Sequence, residues 1–499
     1  MRWWLTLTLT ATASLSAPFL IDGISYVKVL IALILTSCLV PIILIRLTAS
    51  FSPKTKLVIF LIFVSMNIYL MYLYLTSYRS VFGAPGRHNG LLSVIVCFYF
   101  FMIGMYVRKF WSIWDVYKTI SIVSVSTSFC ILVVRNLNIG SNSIFASNDF
   151  TSRNFSDNSN LVAPLICVGI LSSIVSFRKT RKYLFLVSLI PLAIVAVQLS
   201  VVQVYLNLAI SLLILGISTS KRKIKASWIP VTIFGGYLIG LLLAFRGLFD
   251  RDSSTKERTD ILREAGNLWN EFTLFPSNID GLSDYTKNFV SFYGTQFLDD
   301  FHNVFLQTSF SFGLIIGFLF LVLGLTPYFA KFQTHKEKLE FLSIYTSLLV
   351  SLLIGISSPN YIYIFFLLLG YSSLGDLKSS RIVATKQSNK SVTALGLAIL
   401  LTLTPAYIQL NDLDTRFKIS DRASKIKATG EFTGQNFNAL IRDLREIDDA
   451  GYRNRMALNF YAVGECRYGD LVYEMIVKTN PDEASLRGLD VLKKDCPQA

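Results

Sequence analysis

Apolar runs close to the length of a bilayer crossing recur along almost the whole chain. A transmembrane helix needs about 17 to 25 mostly apolar residues, because with no water in the bilayer core every backbone group has to be satisfied within the helix itself. About thirteen such stretches can be read: residues 3–20, 27–45, 57–74, 91–107, 119–135, 160–177, 183–198, 201–217, 228–245, 305–330, 341–356, 361–375 and 391–408. Of the 499 residues, 53% are hydrophobic and only 16% charged, whereas a soluble domain carries about 25% charged residues. Mean hydropathy is +0.52. The expected fold is all-α, a polytopic transmembrane bundle of about 12 to 13 spans, and a soluble enzyme is excluded.

The net charge of +15 would suggest nucleic acid in a soluble protein. Here the positive charge gathers in short loops between apolar runs, such as "RKTRK" from Arg178 and "KRKIK" from Lys221. Such loops stay in the cytoplasm by the positive-inside rule, so the charge reads as topology and no nucleic-acid partner is expected. With the N-terminus inside, the loops around Lys54, Arg108, Arg178, Lys221, Lys336 and Lys386 all fall on the cytoplasmic side. The long segment from Arg246 to Phe301 falls outside, with six Lys or Arg against ten Asp or Glu. Four regions follow: an N-terminal transmembrane bundle (1–245), a large outer loop (246–304), C-terminal transmembrane helices (305–409) and a helical outer tail (410–499). The opening "MRWWLTLTLTATASLSA" reads either as the first span or as a cleaved signal peptide; in both readings Ile21 is outside.

Cys38, Cys97, Cys130 and Cys167 lie inside apolar spans, where a thiol is usually a small buried hydrophobe. Cys466 and Cys496 are the two cysteines of the tail, and they read as a disulfide in an oxidising compartment or, alternatively, as free thiols. There is no Cys-x-x-Cys and no Cys/His ligand pattern, so neither metal nor cofactor is expected.

In the large loop, "STKERTDILREAGNLWNEF" combines a possible capping box, Ser254 to Glu257, with apolar residues at helical spacing: Ile261, Leu262, Ala265, Leu268, Trp269 and Phe272. This predicts an amphipathic helix lying on the membrane or against the bundle. Arg246, Arg251, Arg258 and Arg263 flank it, and guanidinium forks bind phosphate in a bidentate way. His302 closes the loop with Asp299 about one turn before it; a neutral imidazole there can take a proton from a hydroxyl while the carboxylate fixes its tautomer.

The stretch "HNVFLQTSFSFGLIIG", from His302 to Gly317, resembles the His-Asn, nine residues, then glycine-pair motif that ends the large periplasmic loop in the bacterial O-antigen ligase and O-antigen polymerase superfamily. Many members separate the two glycines by two residues; Gly313 and Gly317 are separated by three. Upstream, "KERTDILREAGNLWNEFTLFPSNIDG" is similar to that family's Arg, Trp, Pro-x-x-Gly loop, with Arg258, Trp269 and Pro276 matching and the final glycine displaced to Gly281. "RNFSDNSNLVAP" is similar to a family segment in which an arginine precedes an Asn-containing helix start, which maps to Arg153 and Asn160. Where the family often has a Ser-Arg pair at an outer turn, this chain reads "QLSVVQVY", so Gln198, Ser200 and Gln203 offer hydrogen bonds but no charge.

The resemblance implies a metal-independent glycosyltransferase of the bacterial inner membrane, with its active face and C-terminus periplasmic. It would take a glycan from undecaprenyl diphosphate and move it to a glycan, lipid or protein acceptor. His302, Asn303 and Asp299 would be catalytic; Arg258, Arg153, Arg246, Arg263, Asn160 and Trp269 would bind substrate. A ligase acting on lipid A-core and a polymerase joining lipid-linked repeat units share this chemistry, and transfer to protein hydroxyls stays open because protein-glycosylating relatives also carry C-terminal extensions. A lipid-linked glycan flippase is the alternative of another class; transporters place ionisable groups near mid-membrane and are commonly built from internal repeats.

Overall fold

A computed structural model of the chain describes residues 2–15, 25–48, 53–76, 81–82, 90–137, 159–199, 201–218, 226–245, 253–275, 282, 290–291, 294–295, 301–355, 358–373, 389–429 and, in the tail, 466–479 with a few shorter pieces. The helices are α1 (Arg2–Ser14), α2 (Ser25–Thr48), α3 (Pro53–Thr76), α4 (Leu91–Phe110), α5 (Ile113–Leu137), α6 (Ser159–Thr180), α7 (Leu189–Leu199), α8 (Val202–Ile217), α9 (Trp228–Phe245), α10 (Ser253–Asn267), α11 (Val304–Phe312), α12 (Leu314–Phe329), α13 (His335–Ile354), α14 (Ile362–Ser373), α15 (Asn389–Thr429) and α16 (Cys466–Thr479). A single helical turn, Leu184–Val187, precedes α7.

Among the described residues four helices are long and apolar enough to cross a membrane: Tyr26–Leu44, Leu91–Phe110, Ile113–Val133 and Val162–Thr180. Leu184–Leu199, Val202–Ile217, Trp228–Gly240, Leu314–Phe329 and Ile362–Ser373 are apolar but shorter. The fold is all-α as expected, with one short antiparallel pair, Val290–Ser291 with Gly294–Thr295, within the large loop. Valine and threonine favour a pleated backbone over a helix, so two residues on each side suffice for this short pair.

Two spans differ from their expected outlines. The run expected at 3–20 is helical over Arg2–Ser14, and its residues 16–20 lie outside the described residues. The run expected at 305–330 is two helices, because Gly313 breaks it with φ of 88°. The run expected at 391–408 does not stop at residue 408: α15 continues to Thr429. Its extension is pinned to the start of α2, where the Tyr26 hydroxyl donates to the Gln409 carbonyl at 2.8 Å and the buried Arg416, ion-paired with Asp412 at 2.7 Å, lies over the Tyr26 ring.

The bundle packs through small residues and ring contacts rather than through charge. A Cβ on Gly104 of α4 would fall on the Leu367 carbonyl of α14, and one on Gly370 of α14 would fall on the Phe101 carbonyl, so these two helices meet backbone to backbone. Phe320 of α12 stacks on Phe366 of α14 and Phe305 of α11 tilts against Phe320, which ties both halves of the broken helix to the same core. At the bundle end remote from His302, Arg108 lies over the rings of Phe332 and Tyr371 and donates to the Lys331 carbonyl, and Arg178 reaches Glu340 at 4.0 Å. In the tail, α16 buries Val472, Met475 and Ile476 on one face.

Candidate functional site

The large loop is seated on the bundle by an apolar cluster. Ile261 and Ala265 of α10, with Phe272, Phe301 and Phe310, are buried together. The rings of Phe272, Phe301 and Phe310 lie 5.3 to 5.9 Å apart, one pair stacked and two edge-on. The apolar stripe of the loop helix therefore packs on protein. The helix begins at Ser253, so Ser254 stands inside its first turn rather than in the cap position read from the sequence.

The break at Gly313 is where the loop enters the bundle. The Leu314 amide donates to the Thr273 carbonyl at 2.8 Å, and a Cβ on Gly313 would stand 2.5 Å from the Leu274 carbonyl oxygen. Only glycine meets both demands, positive φ and this approach of a second backbone. Gly317, in the first turn of α12, lies against Ser309 of α11 in the same way. The two glycines of the family-like motif thus have distinct tasks: one admits the loop, the other lets α11 and α12 fold against each other.

His302 is held between two locked neighbours. Phe301 is fully buried, and its backbone amide donates to the Gln307 side chain at 3.2 Å. Asn303, 5% exposed, uses its whole amide: Oδ1 accepts from the backbone of Phe305 at 3.0 Å and Leu306 at 3.1 Å, and Nδ2 donates to the Leu353 carbonyl at 3.0 Å and the Tyr237 hydroxyl at 3.1 Å. It caps the N-terminus of α11 and one of the last carbonyls of α13 at once. Between them the half-buried His302 takes φ of 52°, a left-handed backbone that non-glycine residues adopt at a cost of about 1 kcal/mol and keep where neighbours over-determine them.

The other residues singled out in the sequence separate. Arg258 is half-buried and three residues before Ile261, so it shares the face of α10 that packs on Phe301. Arg263 is exposed and ion-paired with Asp260 at 3.1 Å, away from that face. Trp269 is 60% exposed and stacks on Phe272. Asn160 stands in the first turn of α6. Arg153, Arg246 and Asp299 lie outside the described residues. Cys466 is disulfide-bonded and Cys38, Cys97, Cys130 and Cys167 are free thiols, which leaves Cys496 as the remaining cysteine of the chain, outside the described residues. Among the described residues no group of three or more His, Cys, Asp or Glu is placed to hold a metal ion.

Sequence reasoning named Asn303 and Gln203 but missed Lys28, and it missed that all three reach residues between Leu353 and Asn360. Leu353 accepts from Asn303; Gly355 faces the Gln203 amide; Asn360 Oδ1 accepts from Lys28 Nζ at 2.5 Å, with Lys28 only 1% exposed. Three elements, the His302 cap, α8 and α2, thus deliver polar groups to one short turn at the loop-bearing end of the bundle. A lysine one residue inside an apolar run was the available signal for Lys28, since a membrane-embedded charge has to be held by specific partners. The chain matches no protein-family model, no curated protein and no solved structure.

Proposed function

We propose that this protein is an O-antigen ligase-like glycosyltransferase that moves a glycan from undecaprenyl diphosphate to an acceptor hydroxyl, such as one on lipid A-core, at the periplasmic face of the bacterial inner membrane. The observation that carries the reading is the strained His302, held between Phe301 and Asn303 at the foot of the loop helix that bears Arg258. In this reading His302 takes the proton of the acceptor hydroxyl as its oxygen attacks the anomeric carbon, and the diphosphate departs with both electrons of the glycosidic bond. Asp299 orients the imidazole. Arg258, with Arg153 and Arg246, balances the charge of the leaving diphosphate; Arg263, Trp269 and Asn160 extend the contact surface for the glycan. Such groups act on charge that develops in the transition state, so neither metal nor cofactor is required.

A polymerase that joins lipid-linked repeat units is the second reading, favoured by the absence of arginine from the turn before α8. Deleting the gene separates the two on a gel of surface glycans: loss of all long chains with accumulation of lipid-linked polymer marks a ligase, and single-repeat caps mark a polymerase. For the chemistry itself, His302→Ala should keep donor binding and lose roughly two to four orders of magnitude in transfer rate, the contribution of a general base. Arg258→Ala should weaken donor binding as well, and lysine there should restore it only in part. Wild-type transfer by folded His302→Ala would move the base to Asp299 or Asp300.

A further inference from the structure

Helices α11 and α12 fold back on each other about Gly313. Ser309 meets Gly317, and Phe305 lies against Phe320 and Gly324, so α11 runs up to the turn and α12 runs away from it antiparallel. The segment Phe272 to Phe275 of the large loop crosses the tip of this hairpin. The Thr273 carbonyl accepts from the Leu314 amide, and the backbone of Leu274 and Phe275 stands over Gly313. Phe272 turns inward to Phe301 and Phe310. The next two apolar side chains turn outward, Leu274 60% and Phe275 70% exposed. The first two turns of α12, which begin at the same junction, expose Ile315, Ile316, Phe318 and Leu319. The uncovered apolar surface therefore passes from α12 onto the loop across the Thr273–Leu314 bond.

An exposed apolar patch marks an interaction surface, and its continuity with a membrane helix names the partner. Helix α12 is almost wholly apolar yet has sixteen residues, about 24 Å of helix, where a hydrocarbon core is about 30 Å thick. A strap seated on its outer end supplies the missing turn of apolar surface. The backbone of the strap suits a place without water. Thr273 Oγ1 donates to the Phe275 carbonyl at 2.6 Å, the Thr273 carbonyl is taken by Leu314, and the Phe272 amide donates to the Trp269 carbonyl at 3.2 Å. Irregular backbone at membrane depth needs such partners within the protein, whereas in water it does not. Trp269 stands where the strap leaves α10, and membrane tryptophans gather at the boundary between chains and headgroups.

We propose that the strap from Thr273 to Phe275 is a membrane-interface element: Leu274 and Phe275 insert among the acyl chains of the outer leaflet and complete the apolar belt of α12. The assignment rests on α12 crossing the bilayer and not on the transferase reading. It bears on that reading through depth. His302 stands at the foot of α11, nine residues and about 13 Å from the tip on which the strap sits. With the strap among the outer acyl chains, His302 lies below the bilayer surface, and a lipid-linked substrate meets it without leaving the membrane.

The test places a nitroxide at Phe275, through p-acetylphenylalanine, in the full chain reconstituted into phosphatidylethanolamine–phosphatidylglycerol vesicles. The same label at Phe318 is the reference in lipid, and at the exposed, ion-paired Arg263 the reference in water. Collision rates are measured with oxygen, which concentrates among acyl chains, and with a water-soluble nickel chelate. The oxygen-to-nickel ratio at Phe275 is expected to match that at Phe318 and to exceed that at Arg263 several-fold; a label at Leu274 gives the same reading should the Phe275 variant fail to fold. A ratio at Phe275 equal to that at Arg263, with Phe318 in lipid, puts the strap in water and overturns the proposal. Nickel access at Phe318 as well overturns the crossing of α12 on which the proposal rests. A ratio at Phe275 that rises only when undecaprenyl diphosphate is added to the vesicles gives the surface to an isoprenoid chain and overturns the acyl-chain assignment.

Discussion

Replacing Asn303 by alanine should destabilise the fold by about 1.5 to 5 kcal/mol, and the sum can be followed bond by bond. Loss of an N-cap side chain costs about 0.5 to 2 kcal/mol, and Asn303 is the cap of α11 through its contacts with Phe305 and Leu306. The Leu353 carbonyl lies at the end of α13, where helical carbonyls have no partner in their own helix, so without Asn303 it is left buried and under-satisfied at a further cost of about 1 to 3 kcal/mol. The Tyr237 hydroxyl loses its contact as well, but a hydroxyl can rotate to another partner and adds little. Asn303→Ser separates the two contributions, because serine caps a helix about as well as asparagine and cannot reach Leu353. Denaturant titration of purified protein in detergent should rank wild type above serine and serine above alanine by roughly 1 kcal/mol. An alanine variant within about 0.5 kcal/mol of wild type, the scatter of neutral surface changes, would refute the double-capping account. Serine no better than alanine would refute the capping half alone.

Gly313→Ala should unseat the large loop, since a Cβ would meet the Leu274 carbonyl in a backbone already at positive φ; faster amide exchange at Leu314, whose bond to Thr273 spans the junction, checks it, and unchanged exchange there would refute it. A reporter fused after Arg258 should read as external and one after Lys223 as cytoplasmic, following the Lys and Arg asymmetry of the loops; a cytoplasmic signal after Arg258 would remove the basis for periplasmic chemistry.

The hydropathy pattern made the membrane helices legible because the bilayer acts on each segment almost independently, and the runs containing α2, α4, α5 and α6 are long enough to be read singly. What hydropathy could not give is where a helix stops for reasons other than water. The run from Phe305 to Ala330 is apolar on both sides of Gly313, so its break is invisible until the backbone of Leu274 is known to approach. The opposite error occurs at residue 409, where falling hydropathy marks an exit from the apolar layer while the hydrogen bonds of α15 continue, held by Tyr26 and Arg416. His302 and Asn303 were legible as a motif, yet the role of the asparagine in the fold was not: its amide is consumed by four structural bonds.

A polar stripe on α8 shows the limit most clearly. Gln203, Asn207 and Ser211 recur every four residues in an otherwise apolar helix, which places all three on one face. A face of that kind can bind a partner helix, water or substrate, and the sequence does not distinguish them. The choice depends on the residues of α13 that come opposite. Serine answers asparagine with a hydrogen bond, so that pair is helix packing. Glycine cannot answer glutamine, so the Gln203 amide, at the end nearest Asn303, has no hydrogen-bond partner among the described residues. Which polar groups of α8 are met therefore depends on residues more than a hundred positions away, which no local pattern around Gln203 can reveal.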